Sequence, residues 1–245
     1  MEEIFMNVFV YIGSPRGEES MSYKFIKEVE KASKELDSSI NFDIFRADKV
    51  DIKESDGSSL DFINGQTLFN DDMQIIEESL LKSDFVIMVS PVYAHSISSQ
   101  TKKLIDRLSY WLHIFRLVGK NGFVISTSCN NGNELVNAYL TEIMQYLGLY
   151  VTGELSLETS KINDDNIFQS YVRFLAKKII MSKSISELDI PSTQEKMFQH
   201  QKDLQYNSVK LDSKERRFWE ENGYFNYDSF EDLFKSKMKI ESMSI

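Results

Sequence analysis

The sequence predicts an open parallel α/β sheet followed by a helical C-terminal extension. Three observations carry this reading. Five short apolar runs, at residues 4–12, 40–45, 84–90, 123–127 and 149–157, alternate with segments of helical spacing, which is the pattern of repeated strand–helix units. The runs at 4–12 and 84–90 are nearly continuous, as expected of strands covered on both faces. From residue 182 onward only helical spacing remains.

Each element has its own signal. Residues 4–12 (IFMNVFVYI) form the first strand. Residues 20–36 read as a helix, with Phe25, Ile26, Val29 and Ala32 at helical spacing. Residues 40–45 (INFDIF) alternate apolar and polar and form the second strand. Residues 47–70 are polar and acidic with weak periodicity, and read as an irregular insert. Asp71 or Asp72 is placed to cap a helix over 73–82 that carries Ile75, Ile76, Leu80 and Leu81. Residues 84–90 (DFVIMVS) are the third strand, and 99–112 a helix built on Leu104, Ile105, Leu108 and Leu112. Residues 123–127 are the fourth strand. The helix over 134–147 ends at Gly148, a glycine suited to the left-handed position after a helix. Residues 149–157 are the fifth strand and 167–181 a closing helix. Residues 1–181 thus form one α/β domain. Residues 182–245 carry Pro191 near their start and several aromatics, among them Phe198, Phe218, Trp219, Tyr224, Phe225, Phe230 and Phe234. They are expected to pack as helices on the body or on a second subunit.

Composition narrows the class. The 245 residues hold 42% hydrophobic and 12% aromatic residues, enough apolar mass to exclude wholesale disorder. Three prolines and ten glycines fall below the roughly twelve and seventeen of average usage, which argues against loop-dominated classes. The net charge of −10 makes nucleic acid and anionic membranes poor partners. Eight carboxylates and one lysine in residues 51–78 account for −7 of it. This segment is either a solvated insert or a docking surface. A single cysteine, Cys129, permits no intrachain disulfide and fits a reducing compartment. No run of about 18 apolar residues exists. The N-terminus lacks a basic region and a small-residue cleavage site. The expected location is the cytoplasm.

Ligands of an open α/β sheet bind outside the carboxyl ends of its strands, and three loops qualify. Residues 13–22 (GSPRGEESMS) join a strand to a helix. Gly13 allows an abrupt turn, Ser14, Ser20 and Ser22 offer hydroxyls, and Arg16 adds a charge. The helix start adds N–H groups and a positive dipole end, so a phosphate monoester fits. An ordinary strand–helix turn with a serine cap fits equally. The loop is neither a Walker loop nor G-x-G-x-x-G. Residues 90–98 (SPVYAHSIS) follow the third strand. Pro91 stiffens that turn, and Tyr93 is either a stacking surface for a planar ring or a partly buried loop aromatic. Backbone amides and Ser96 offer bonds to a ring edge. Residues 127–133 (TSCNNGN) are small and amide-rich and lead into a helix.

Together these loops resemble the flavodoxin-like NADPH-dependent FMN reductase and NAD(P)H:quinone oxidoreductase family. The likeness rests on Gly13–Arg16 with Ser20 and Ser22, on Ser90–Tyr93 continuing to Thr101-Lys102 and Ile105-Asp106-Arg107, and on residues 127–132. It covers residues 4–160. The resemblance implies a five-stranded sheet of order 2-1-3-4-5 with helices on both faces. It implies that Ser14, Arg16, Ser20 and Ser22 hold an FMN phosphate. Pro91, Val92, Tyr93 and Ser96 would lie against the ring and ribityl chain, and Thr127, Ser128 and Gly132 would bond the pyrimidine edge. NADPH or NADH would donate hydride, and a quinone, flavin, azo or nitro compound would accept electrons. A homodimer or homotetramer is the expected assembly, with residues 108–117 (LSYWLHIFRL) and the C-terminal extension as candidate contacts. One departure stands out. Some relatives carry an iron–sulfur cysteine cluster, whereas residues 58–70 hold no cysteine, and about four thiolates are needed.

Other constellations carry less. His95, His113 and His200 lack metal-binding spacing, so no metal site is expected. Cys129 has Leu135 where a low-molecular-weight phosphatase loop needs Arg, and it reads as a small residue packed in its turn. Tyr93 and His95 are candidate contacts to substrate or flavin, and His95 equally reads as a solvent-facing loop residue. Two rival functions remain open: a flavodoxin-type electron carrier docking through 51–78, and a flavin-free interaction protein.

Overall fold

A computed structural model describes residues 5–162, 164–185, 187–207, 210 and 212–238. Ile4, placed by the sequence in the first strand, lies outside them, as do parts of the 182–245 extension. Five parallel strands, β1 (Met6–Ile12), β2 (Ile40–Arg46), β3 (Phe85–Pro91), β4 (Asn121–Ser128) and β5 (Tyr150–Glu158), form one sheet of order β2-β1-β3-β4-β5. Alternation within β1 explains the layering. Val8, Val10 and Ile12 face one core, with α1 (Met21–Leu36) and α7 (Asp165–Met181). Phe9 and Tyr11 face the other, with α3 (Met73–Lys82), α4 (Ser99–Arg107) and α6 (Asn133–Tyr146). All seven residues of β3 are buried. Each large apolar side chain removed from water in this way contributes about 1.5–3 kcal/mol.

Local chemistry sets the helix ends. Ser20 caps α1 by accepting from the Tyr23 N–H at 3.1 Å. At α3 the sequence left two candidate caps, and of the two carboxylates only that of Asp71 bonds the helix start. Asp71 accepts from the Met73 N–H, while Asp72 accepts from the Asp51 N–H and ties the insert down. α6 ends in a Schellman turn. Gly148 takes φ +94°, its N–H bonds the Gln145 carbonyl, and the Leu149 N–H bonds that of Met144.

The structure corrects two sequence expectations here. The helix read over 99–112 is two, α4 and α5 (Ser109–Leu112), meeting at Leu108. The Leu108 N–H is shared between the Leu104 and Ile105 carbonyls, and the Trp111 N–H closes onto Leu108. Leu104, Ile105, Arg107, Leu108, Tyr110 and Trp111 are all buried, more than one stripe of a continuous helix can cover. The insert is also less irregular than its composition suggests. It contains a short helix, α2 (Leu60–Asn64), and Asp61 of that helix and the neighbouring Asp71 turn toward Arg107. Asp71 and Arg107, both with fully buried side chains, pair at 2.5 Å. Arg107 also bonds the Lys53 carbonyl and Thr67, and lies 4.2 Å from the Phe69 ring. Burial alone would raise the Asp71 carboxyl pKa. The Arg107 guanidinium and the N–H groups of Lys53 and Met73 outweigh burial and hold it below the usual range.

The C-terminal helices α8 (Ser192–Asn207), α9 (Lys214–Glu221) and α10 (Phe230–Lys237) close a third core. Phe198, Trp219, Phe230 and Phe234 enclose Ile114 and Phe115 of the α5–β4 connection. The Trp219 indole donates to the His113 carbonyl at 3.0 Å, and Gln194 donates to the Leu149 carbonyl at 3.0 Å. These helices therefore cover the amino-terminal end of β5, away from the strands' carboxyl ends. Tyr110, Trp111, Phe115 and Leu117 of the 108–117 stretch are buried within this chain. Among the described residues no helix is long and apolar enough to cross a membrane.

Candidate functional site

The sheet order reverses at β1, so the loops after β1 and β3 diverge and leave a crevice at their carboxyl ends. The loop after β1 contains a turn of 3₁₀ helix at Gly17–Glu19 and runs into α1. Gly13 is held on three sides. Its N–H bonds the Val89 carbonyl, its carbonyl accepts from Ser98 Oγ at 2.7 Å, and a Cβ on it would meet Thr101 Oγ1 at 1.8 Å. Ser98 also caps α4 through the Thr101 N–H, and its own N–H bonds Ser90 Oγ. Ser90, Ser98 and Thr101 thus clamp the loops after β1 and β3 together.

Within the first loop, Ser14 is buried and accepts from the Arg16 N–H, while the Arg16 side chain is exposed. Ser20 Oγ is already engaged with the Gly17 carbonyl and the Tyr23 N–H. Ser22 is buried and its hydroxyl meets Thr127 Oγ1 at 3.1 Å. The hydroxyls that the sequence offers to an anion therefore mostly hold the loop's shape. What faces outward is the start of a 16-residue helix, with its positive dipole end. A second arginine, Arg46 at the carboxyl end of β2, sits 4.7 Å over the Tyr23 ring and bonds Glu18 and Asp48. The two carboxylates offset its charge, and nothing in its strand pattern distinguished it beforehand.

After β3 the chain makes a two-residue hairpin. Tyr93 and Ser96 exchange both backbone hydrogen bonds at 2.9 Å, and Ala94 and His95 take φ +49° and +60°. Positive φ at both central residues is the signature of a type I′ turn, which favours Asn-Gly. Ala and His there carry strain of order 1–3 kcal/mol each. The hairpin leaves Tyr93 45% exposed, an unusual setting for a large ring. The Val92 N–H bonds the Thr127 carbonyl, and the Ser96 N–H is used within the turn. Pro91 pairs with Thr127 in the β3–β4 register. Replacing Ala94-His95 by Asn-Gly is expected to stabilise the protein by about 1–2 kcal/mol, measured by denaturant unfolding. No gain would show that the turn is unstrained.

The loop after β4 is built on Asn133. Its amide donates to the Ser126 carbonyl and Oγ, and its Oδ1 accepts from Ser128 Oγ at 2.5 Å. Gly132 takes φ +83°, and a Cβ there would lie 2.8 Å from Val92 Cγ1 and 3.3 Å from His95 Nδ1. Its lack of a side chain lets the third loop close on the second. The structure thus brings Ser14, Arg16, Ser20 and Ser22, then Pro91, Val92, Tyr93 and Ser96, then Thr127, Ser128 and Gly132 to one edge. Sequence reading gave no role to the residues that fix this edge: Ser90 and Thr101, which it quoted only for the resemblance, and Ser98 and Asn133. Small hydroxyls and an amide at loop ends carry no distinctive signal until their partners are known. Cys129 is exposed rather than packed in its turn. The loop is pinned by Ser128 and Asn133 on either side of it, so the thiol is not needed to fill space. Among the described residues no group of three or more His, Cys, Asp or Glu could hold a metal ion.

Residues 6–164 match the family model for NADPH-dependent FMN reductase. A curated iron-sulfur flavoprotein from Archaeoglobus fulgidus is 30% identical over 148 residues, which are 58% of this chain and 64% of that protein. The chain therefore spans less than two thirds of that relative's length. A solved NADH:FMN oxidoreductase in its apo form aligns with TM-score 0.56 and 17% identity, over 77% of this chain and 93% of its own. An FMN-dependent NADH-azoreductase from Bacillus anthracis, solved with FMN, aligns with TM-score 0.53 and 16% identity, over 71% and 98%. At these identities the structural likeness is one of fold.

Proposed function

The chain belongs to the NADPH-dependent FMN reductase family, and from that premise we propose that it is an FMN-containing oxidoreductase taking hydride from NAD(P)H and reducing a small-molecule acceptor. The observation that carries the reading is the convergence of three clamped loops on the crevice where the strand order reverses. Bound FMN supplies the hydride and electron chemistry. The protein's part is to bind, orient and shield.

The residues present fit that cofactor. The first turn of α1 and Arg16 would receive the phosphate dianion, with Ser14 and Ser20 holding the loop in shape. Tyr93, raised on its hairpin, offers an exposed ring for stacking, and the absent side chain at Gly132 lets the third loop close against Val92 and His95 of the second. Thr127 and Ser128 stand at the end of β4, where a heterocycle edge would lie. Ser22 contributes through Thr127, by fixing α1 against β4.

The acceptor class we infer is a planar quinone, azo or nitro compound or a free flavin, because an open edge beside a stacking ring selects planar molecules. The electron-carrier alternative loses ground. A docking face needs outward charge, yet Asp61, Asp71, Asp72 and Glu77 of residues 51–78 are directed into the chain's own contacts.

The test is direct. The purified protein is expected to bind FMN with a flavin absorption band that bleaches under anaerobic NADPH or NADH, and to oxidise the nucleotide steadily with a quinone. Arg16→Ala is expected to weaken FMN more than riboflavin, by about three- to tenfold, because only FMN presents a phosphate. A colourless protein indifferent to FMN would overturn the proposal, and bound FMN without turnover on any such acceptor would favour the carrier.

A further inference from the structure

A cavity of about 400 Å³ lies on the side of the molecule away from the three loops, where α2, α3, α5 and α9 meet. It falls at the small end of the roughly 300–1,000 Å³ range of ligand pockets. Phe62, Tyr110, Trp111 and Phe218 contribute its aromatic walls. Glu77 of α3 lines it and is 9% exposed. The Tyr110 hydroxyl lies beside the Glu77 carboxylate and favours its charged form. One carboxylate oxygen, Oε1, is buried with no hydrogen-bond partner among the described residues. Nothing in the fold requires an acid there. α3 would pack as well with an apolar side chain at that position, and a buried polar atom without a partner costs of order 1–3 kcal/mol.

We propose that this cavity is a second ligand site, one that takes a small planar organic cation carrying N–H donors, such as an aromatic amidine or amine, with Glu77 as its counter-charge. Three observations select that chemistry. Among the charged residues of the lining Glu77 is the buried one, and its Oε1 lacks a donor. Burial raises the Glu77 carboxyl to about 7, with repulsion from Asp61 and Asp71, while Tyr110 and Arg107 offset only part of this. The walls already hold one planar cation, since the Arg116 guanidinium lies 5.0 Å from the Phe218 ring centroid and 5.9 Å from that of Trp111. The lining as a whole is balanced in charge, with Arg116, Lys214 and Arg217 against Glu77, Glu215 and Glu221, and Glu215 also pairs with His113 at 2.7 Å. Since α9 belongs to the C-terminal extension and α2 to the acidic insert, the site exists only where both meet the α/β body. None of the three carboxyl-edge loops lines it, so the proposal stands independently of the flavin reading.

The experiment uses the full chain as purified, with benzamidine as the probe and benzyl alcohol and benzoate as neutral and anionic counterparts of similar shape. Calorimetry gives the affinity, and quenching of tryptophan emission reports on Trp111. Benzamidine is expected to bind at one site, about tenfold or more tighter than benzyl alcohol, with benzoate weaker still. Glu77→Gln is expected to abolish the preference for the cation, and Leu81→Trp, at a half-exposed lining position, to block binding of all three. Far-UV circular dichroism checks the fold of each variant, and Leu81→Trp decides the matter if Glu77→Gln does not fold. Benzoate binding as well as benzamidine, no saturable benzamidine binding at millimolar concentration, or binding undiminished in a folded variant would overturn the site.

Discussion

Gly13→Ala is expected to destabilise the protein by about 1–3 kcal/mol and to weaken FMN binding at least about tenfold. The glycine is required by close approach alone. A Cβ there would stand 1.8 Å from Thr101 Oγ1, and 3.1 Å from both Ser98 Oγ and Thr101 Cβ. Thr101 and Ser98 are fully buried, and Ser98 Oγ bonds the Gly13 carbonyl as well as Thr101. Alanine would therefore displace the first turn of α4 from the end of β1, which separates the loops that form the proposed cofactor edge. The obstruction is mostly one oxygen atom, so adding Thr101→Ala should restore part of both losses. A double-mutant cycle over Gly13→Ala and Thr101→Ala, read by denaturant unfolding and FMN titration, is expected to be strongly non-additive. Additive effects would show that the two residues do not collide.

Arg107→Ala is expected to cost about 3–5 kcal/mol, the loss that follows when one member of a buried ion pair is removed and its partner is left charged. That corresponds to a fall in Tm of about 6–20 °C for a protein of this size. Its guanidinium joins α4 to Asp71, Thr67 and the Lys53 carbonyl, and lies on Phe69. Lysine supplies the charge without the fork, so Arg107→Lys should recover only part of the loss. The sign of the pH dependence follows from Asp71. Its carboxyl is held below its ordinary value in the folded state, so its contribution is present above the unfolded carboxylate pKa of about 3.9 and is lost as pH falls through the lower folded value. Arg107→Ala should therefore flatten the acid side of the stability curve. It should also open residues 53–70 to proteolysis. A thermal midpoint within 2 °C of the parent would sink the assignment, since that is less than about 1 kcal/mol.

Much of the fold was legible because it rests on periodicity. Continuous apolar runs such as Phe85–Pro91 appear only where both faces are covered, and Gly148 announced the end of α6 through the φ that a Schellman turn needs. The helix over 99–112 was misread because periodicity reports which residues are buried, not whether one axis carries them. Leu108 breaks the helix through a shared hydrogen bond that leaves no mark in the sequence. The three loops were found because glycine, proline and serine punctuate strand ends. Within them, the bonds of Ser20 to the Gly17 carbonyl and of Ser22 to Thr127 leave no mark in the spacing of the sequence.

The acidic insert draws the line most plainly. From composition, residues 51–78 were a block of negative charge that suited either solvent or a basic partner. Only the tertiary structure set Arg107 against Asp71 and left Glu77 facing a cavity closed by residues 214–221. The sequence alone determined the strand–helix alternation, the end of the sheet where the cofactor is proposed to bind, and the family. These depend on short-range spacing and on backbone geometry that each residue carries with it. Which charges are spent inside the molecule depends on partners 36 positions away, as with Asp71 and Arg107, and folding alone brings those together.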